Sequence, residues 1–223
     1  MADILLIDTS SRKIEFAFCT GDRIDVVKNL YSEYNADLLT YEIRNAVKSY
    51  KLKLDDLKYI GFSSGPGSFT GLRIGLAVAK GLCYALSLKL IEVISLDIIA
   101  NKIRFTQNSY QVITALIVSN SKDMDFYTAD YKQHNGYIER ISDYRVMKIS
   151  KIDPTNRLFV LNEEENVDLP EGFFVLNVFA ESNIDSLLKL TRNKITKGEF
   201  SDLITSEPFY MKQFTPLQNK IKA

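Results

Sequence analysis

The key to this sequence is one stretch, Gly65-Pro66-Gly67-Ser68-Phe69-Thr70-Gly71-Leu72-Arg73-Ile74-Gly75-Leu76. It joins a strand-like run at residues 59–63 to a helix-like run at residues 72–86. Glycine accepts backbone angles that other residues resist, so the stretch predicts a tight strand-to-helix turn at residues 65–71. Ser68 or Thr70 is expected to cap the helix.

Hydrophobic patterning on either side of this turn predicts an α/β lobe. Strands are predicted at residues 4–7, 13–19, 24–30, 59–63 and 88–94, and helices at residues 37–50 and 72–86. A turn at residues 20–23 joins the second and third strands as a hairpin. The predicted order is therefore β-β-β-α-β-α-β.

The polar residues 105–109 mark the expected boundary between two lobes, residues 1–104 and residues 105–223. In the second lobe, strands are predicted at residues 111–118, 126–131, 137–141, 157–161 and 173–178, and a helix at residues 184–195. We expect the strands at 157–161 and 173–178 to lie in the core. We also expect the final segment to pack back on the first lobe.

Composition and charge argue against several classes of protein. The 28 lysines and arginines balance 28 aspartates and glutamates. A protein that binds nucleic acid on its own usually carries an excess of positive charge, which this chain lacks. No apolar run approaches the roughly 18 residues of a membrane span, and the start lacks the pattern of a signal peptide. Cys19 and Cys83 predict neither a disulfide framework nor a metal cluster, and we expect both to be buried. These features predict a cytoplasmic protein with no membrane contact.

The helix after the glycine turn carries three rows of residues. Leu72, Leu76, Ala79, Cys83 and Leu86 form an apolar stripe that is expected to face the core. A second row holds Gly71 and Gly75, and a third holds Ala77, Gly81 and Ala85. An interior glycine costs on the order of 1 kcal/mol against alanine, so the small rows need a reason. Close packing inside the lobe and an interface with another chain both supply one.

The glycine-bearing stretch, continued by Ala77, Ala79, Lys80 and Gly81, resembles the signature segment of the TsaB (YeaZ) family. Residues 4–10 resemble that family's opening strand and Asp-Thr-Ser turn, and Glu207-Pro208-Phe209-Tyr210 resembles its closing Pro-x-Tyr segment. The family lies in the ASKHA superfamily, which includes actin-like ATPases. The resemblance implies a two-lobed ASKHA (actin-like, ribonuclease H-like) fold with mixed five-stranded sheets.

Three segments depart from the family pattern. Where the family commonly has His-Ser-Glu before its first helix, this chain reads Glu33-Tyr34-Asn35-Ala36-Asp37. The family's Asp-Ala-Arg appears as Asn120-Ser121-Lys122, and its Glu-Val-Tyr as Asp125-Phe126-Tyr127. Roles that the family assigns to these positions are not carried over to Tyr34, Asn120 or Lys122.

The resemblance implies a non-catalytic subunit of a tRNA modification system. Its expected partner is the catalytic paralogue TsaD, which transfers threonylcarbamoyl to adenosine 37 of tRNAs that read ANN codons. The ATPase TsaE and tRNA are expected to join this heterodimer, and the chain alone is expected to be a monomer or a homodimer. The expected interface residues are Gly71, Arg73, Ile74, Gly75, Ala77, Val78, Gly81, Ala85, Leu38 and Tyr41.

The alternative is an autonomous ASKHA phosphotransferase or a peptidase. Asp8, Thr9 and Ser10 are a candidate vestigial phosphate turn, but the carboxylates within residues 162–165 would repel phosphate, and no glycine pair follows residue 81. The single histidine, His134, is expected at a hairpin tip rather than in a catalytic centre. We therefore expect no catalytic residues, no metal and no cofactor.

Overall fold

The described residues form two lobes, each built on a mixed β-sheet. The computed structural model describes residues 2–31, 36–103, 111–120, 123–134, 137–164 and 167–211. The first sheet and its helices comprise β1 (Ile4–Asp8), β2 (Lys13–Thr20), β3 (Arg23–Tyr31), α1 (Ala36–Ser49), β4 (Tyr59–Gly65), α2 (Phe69–Leu86) and β5 (Lys89–Ile94). After β5 the chain forms α3 (Ser95–Ala100). The strands of the second lobe come next: β6 (Val112–Asn120), β7 (Asp125–His134), β8 (Tyr137–Arg140), β9 (Arg145–Lys148), β10 (Arg157–Leu161) and β11 (Phe174–Asn177). Helix α4 (Ile184–Lys197) comes last.

The first sheet has the strand order β3-β2-β1-β4-β5, with β1 antiparallel to β2 and parallel to β4. Every residue of β1 is buried, because helices cover both faces of the sheet. Leu5 and Ile7 join the core under α1 and α2, whereas Ile4 and Leu6 join the core under α4. The predicted β-β-β-α-β-α-β order is confirmed.

The second sheet has the order β11-β10-β6-β7-β8, and β9 also pairs with β7. Among the described residues, this sheet therefore has six strands rather than the predicted five. Strand β9 had no clear sequence signal, because its residues, Arg145-Val-Met-Lys, do not form an apolar run. It forms because it pairs antiparallel with the first half of β7.

Two further expectations for this region differ from the structure. The predicted core strand at residues 173–178 is the edge strand β11, whose four side chains are all exposed. Helix α3 was not predicted, because its residues continue the apolar run of β5. The expected boundary at residues 105–109 lies outside the described residues, as do Tyr34 and Lys122. Asn120 belongs to β6, but its side chain is not among those described.

Helix α2 begins at Phe69, three residues before the predicted start, and Ser68 is its cap. The Ser68 hydroxyl accepts a hydrogen bond from the Gly71 amide at 3.2 Å. Of the predicted core stripe, Leu72, Leu76, Ala79 and Cys83 are buried, and Leu86 is partly buried.

The row that holds Gly71 and Gly75 faces the turn that follows β1. A Cβ atom on Gly75 would lie 2.2 Å from the Thr9 hydroxyl oxygen, and one on Gly71 would lie 2.2 Å from the Thr9 carbonyl oxygen. Gly75 is also buried. The prediction that Gly75 lies at a partner interface is therefore wrong, and packing inside the lobe explains why this row is small.

We expect Gly75→Ala to destabilise the fold by about 1–3 kcal/mol, because the added methyl group has no space beside Thr9 and Phe62. Urea unfolding measures the effect. The matched control is Gly81→Ala on the same helix, where an added Cβ meets no atom within 4 Å. The free energy of unfolding of this control should increase by about 1 kcal/mol, because alanine favours the helix more than glycine does. Equal changes in the two variants would contradict the assigned packing.

Candidate functional site

The outer row of α2 is exposed to solvent. Ala77, Gly81 and Ala85 are all exposed, and no atom lies within 4 Å of the position of a Gly81 Cβ. Beside them the Tyr84 side chain is 85% exposed, a high value for a large aromatic residue. We call these four residues the α2 outer face. Small residues next to an exposed aromatic side chain allow another helix to approach closely.

Helix α1 packs beside α2 on the same side of the first sheet. Its Tyr41 is 56% exposed, and Leu38 is partly buried. Of the other predicted interface residues, Arg73 is exposed, whereas Ile74, Val78 and Gly71 are partly buried. Apart from the buried Gly75, the predicted set therefore retains some solvent exposure in this structure.

One end of this surface carries an aromatic group that the sequence did not predict. The rings of Phe69 and Tyr210 lie 5.4 Å apart, and the Arg73 guanidinium lies 4.0 Å from the centre of the Phe69 ring. Arg73 Nε also donates a hydrogen bond to the Tyr210 hydroxyl at 3.0 Å. These contacts place the closing segment against the first turns of α2.

Residues just before the closing segment contact the middle of α2, and the segment itself contacts β4. Lys80 Nζ donates hydrogen bonds to the carbonyl oxygens of Ile204 and Ser206, at 3.4 Å and 3.1 Å. The Phe209 amide donates to the Ser64 carbonyl at 2.8 Å, at the end of β4. Ile204 itself is 89% exposed and adds an apolar side chain next to the helix.

By length and composition alone, α2 is also apolar enough to span a membrane. Arg73 and Lys80 interrupt this apolar run, so the sequence pattern did not indicate a membrane span. Leu72, Leu76 and Cys83 are buried in the core of the first lobe. Packing over the first sheet therefore accounts for part of the apolar composition of α2.

The candidate phosphate turn after β1 is occupied by contacts within the protein. Asp8, Thr9 and Ser10 are 1%, 1% and 8% exposed. One Asp8 carboxylate oxygen accepts a hydrogen bond from the Ser10 amide at 2.9 Å, and the other accepts one from the Asn183 side-chain amide at 2.5 Å. The Ser10 carbonyl accepts a hydrogen bond from the Ser68 amide at 2.7 Å. Both oxygens of the Asp8 carboxylate are thus engaged inside the protein.

A cleft of about 570 Å³ lies between the lobes, next to this turn. Its first-lobe lining is Ser10, Ser11, Arg12, Gly67 and Ser68, and its second-lobe lining is Ile117, Val118, Met124, Asn162, Glu163, Glu164, Val167, Asp168 and Phe179. Three carboxylates therefore face one arginine, and that arginine lies 3.6 Å from Glu164. The three carboxylates would repel a phosphate group here.

Four buried charged side chains meet between the lobes, and we call Asp8, Lys13, Glu15 and Lys102 the interlobe charge cluster. They are 1%, 4%, 0% and 8% exposed. Lys13 Nζ lies 3.3 Å from a Glu15 carboxylate oxygen. Burial lowers the pKa of Lys102 to about 8, although the negative charges of Glu15 and Asp8 oppose the shift. No local sequence pattern indicated this cluster.

The candidate groups for hydrolytic or metal chemistry are dispersed. His134 is exposed at the end of β7, where it pairs with Tyr137 of β8, and it does not line the cleft. Cys19 and Cys83 are both buried, which raises the pKa of each thiol to about 12. Within the described ranges, no group of three His, Cys, Asp or Glu side chains is placed to hold a metal ion.

Two lobes of mixed sheet, with the first lobe ordered β-β-β-α-β-α-β and a cleft between them, define an ASKHA-type fold. The solved structure of YeaZ from Pseudomonas aeruginosa shares this fold, with a TM-score of 0.70, 21% identity, and coverage of 92% of this chain and 99% of that one. A Pseudomonas aeruginosa protein described as similar to peptidase YEAZ matches with a TM-score of 0.73 and 19% identity. That match covers 95% of this chain and 100% of the other.

Comparison with related sequences identifies the family within this fold class. Residues 26–212 match the family model described as TsaD: tRNA N6-adenosine threonylcarbamoyltransferase. A TsaB protein from Buchnera aphidicola (subsp. Schizaphis graminum) is 30% identical over 69% of this chain and 72% of its own length. The Bacillus subtilis TsaB is 28% identical over 65% of this chain and 62% of its own length. The chain belongs to the TsaB (YeaZ) family of the ASKHA superfamily.

The lowered pKa of Lys102 predicts a pH dependence of stability. Between about pH 8 and pH 10.5 the unfolded chain binds more protons at this lysine than the folded chain, so its contribution to stability rises with pH. We expect the stability difference between the native protein and Lys102→Met to shift by about 2 kcal/mol in favour of the native protein from pH 8 to pH 10. Urea unfolding of both proteins at each pH measures this shift, and a constant difference would contradict it.

Proposed function

We propose that this chain is a non-catalytic subunit required for N6-threonylcarbamoyladenosine formation at position 37 of tRNAs that read ANN codons. It acts as a scaffold and activator through a heterodimer with TsaD. Membership of the TsaB family supports a role in this modification, because its curated members are named tRNA threonylcarbamoyladenosine biosynthesis proteins. The match to a family model described as TsaD supports a common fold for the two subunits.

The α2 outer face is the observation that carries this proposal. Its small residues, Ala77, Gly81 and Ala85, let a partner helix approach the α2 backbone closely. Tyr84 supplies an aromatic side chain of the kind that dominates binding energy in protein interfaces. The neighbouring Tyr41 on α1 extends the exposed surface, and TsaD is the partner we assign to it.

Dependence on a catalytic partner agrees with the state of the candidate reactive groups. Asp8 is buried and hydrogen-bonded within the protein, and the neighbouring cleft is lined by carboxylates. The balanced total of 28 basic and 28 acidic residues provides little general attraction for RNA. On this proposal TsaD supplies the chemistry, and TsaE and tRNA join the complex rather than binding this chain alone.

We expect Gly81→Leu to weaken binding to TsaD of the same organism by at least about 100-fold, because the larger side chain holds the two helices apart. Isothermal titration calorimetry measures the affinity, and thermal unfolding checks that the variant remains folded. The matched control is Asn193→Leu, an exposed position of α4 on the opposite side of the first sheet. Unchanged affinity in Gly81→Leu would contradict the assigned face.

The role in modification is tested by reconstitution with TsaD, TsaE, tRNA and the threonylcarbamoyl donor. We expect the modified nucleoside to form with the native chain and to fall with Gly81→Leu in parallel with binding. Size-exclusion chromatography of the isolated chain tests whether the same face forms a homodimer. ATP hydrolysis or proteolysis by the isolated chain that disappears in Asp8→Ala or His134→Ala would overturn the proposal and favour an autonomous enzyme.

A further inference from the structure

We propose that the interlobe charge cluster is a lock that fixes the angle between the two lobes. The chain leaves the first lobe after β5 and returns to it between β11 and α4. Lys102 lies on the outgoing connection, just after α3, and residues 178–183 form the return connection. The other cluster members lie on or beside β1 and β2 of the first sheet. The cluster thus lies where both connections pass the first sheet.

Both lysines of the cluster hold the return connection through its backbone. Lys13 Nζ and Lys102 Nζ donate to the same carbonyl oxygen, that of Glu181, at 3.1 Å and 2.9 Å. Lys102 also donates to the Val178 carbonyl at 2.8 Å and to the Asn162 side chain at 3.4 Å. A single ammonium group therefore joins the outgoing connection, the return connection and the end of β10.

The two carboxylates of the cluster hold the return connection from the other side. The Asn183 backbone amide donates to Glu15 at 2.9 Å, and the Asn183 side chain donates to Asp8. Asn183 is the residue immediately before α4, and it is itself 5% exposed. Rotation of the second lobe about its connections would move Asn183 or Glu181 away from charges that burial keeps from water. Such a rotation is strongly opposed, because an unpaired buried charge is costly.

The mouth of the cleft is held much more weakly. Its ion pair, Arg12 with Glu164, spans 3.6 Å, and the two side chains are 66% and 48% exposed. Exposed pairs of this kind add little stability, because water and salt screen them. The angle between the lobes is therefore set at the buried connections, and the cleft remains open whether or not a ligand enters it. This inference is independent of the proposed function.

A distance measurement across the cleft tests the lock. Spin labels at Arg12→Cys and Asp168→Cys lie on opposite walls, and the buried Cys19 and Cys83 leave the native thiols poorly reactive. We expect double electron–electron resonance to give one narrow distance distribution that Mg-ATP does not change. A broad distribution in this labelled protein, or a shorter distance with Mg-ATP, would overturn the proposal.

Removing part of the cluster should release the lobes. In the same labelled background, we expect Lys102→Met to increase the width of the distance distribution at least about twofold. Lys102→Arg keeps the positive charge, so its distribution should be narrower than that of Lys102→Met. The matched control is Arg192→Met, which removes a partly buried ion pair with Asp3 inside the first lobe and should leave the distribution narrow. If Lys102→Met does not fold, the double variant Lys13→Met/Glu15→Gln is used instead, because it removes one positive and one negative charge from the cluster. An unchanged width in a folded cluster variant would refute the lock.

Discussion

The close approach of α2 to the turn after β1 is the constraint on which the rest of this structure depends. Gly67, Gly71 and Gly75 lack the side-chain atom that would collide with Ser10 or Thr9, so the helix lies directly against this turn. That position buries the apolar stripe of α2 and directs its opposite row into solvent. The contact that builds the first lobe thus also occupies a candidate phosphate turn and leaves the outer row of α2 exposed to solvent.

The two small-residue rows of α2 show why glycine spacing alone is ambiguous. Both rows repeat at four-residue intervals, so each is compatible with close packing inside the lobe or against another chain. The folded chain separates them, because Gly75 contacts Thr9 whereas an added Cβ at Gly81 would reach open space. The interface predicted from the sequence therefore includes one buried glycine, Gly75, beside residues that are exposed.

Most of the fold was accessible from the sequence, because strands buried by helices on both faces appear as short apolar runs. Such runs identified β1, β4 and β5, and glycines marked the start of α2. The pattern missed β9, which forms by pairing rather than by burial, and it predicted a core position for β11, whose side chains are exposed at a sheet edge. The interlobe charge cluster was inaccessible for another reason. Lys13 and Glu181 lie 168 positions apart, and no local pattern records a contact over that separation.

The burial of Cys19 and Cys83 has a consequence for how the chain responds to oxidants. Thiolates, rather than thiols, react with peroxides and disulfides, and both cysteines hold their protons far above neutral pH. Neither thiol is placed at the surface, and these are the chain's two cysteines. Oxidants should therefore neither crosslink copies of this protein through these thiols nor glutathionylate them, while exposed cysteines elsewhere in the cell are modified.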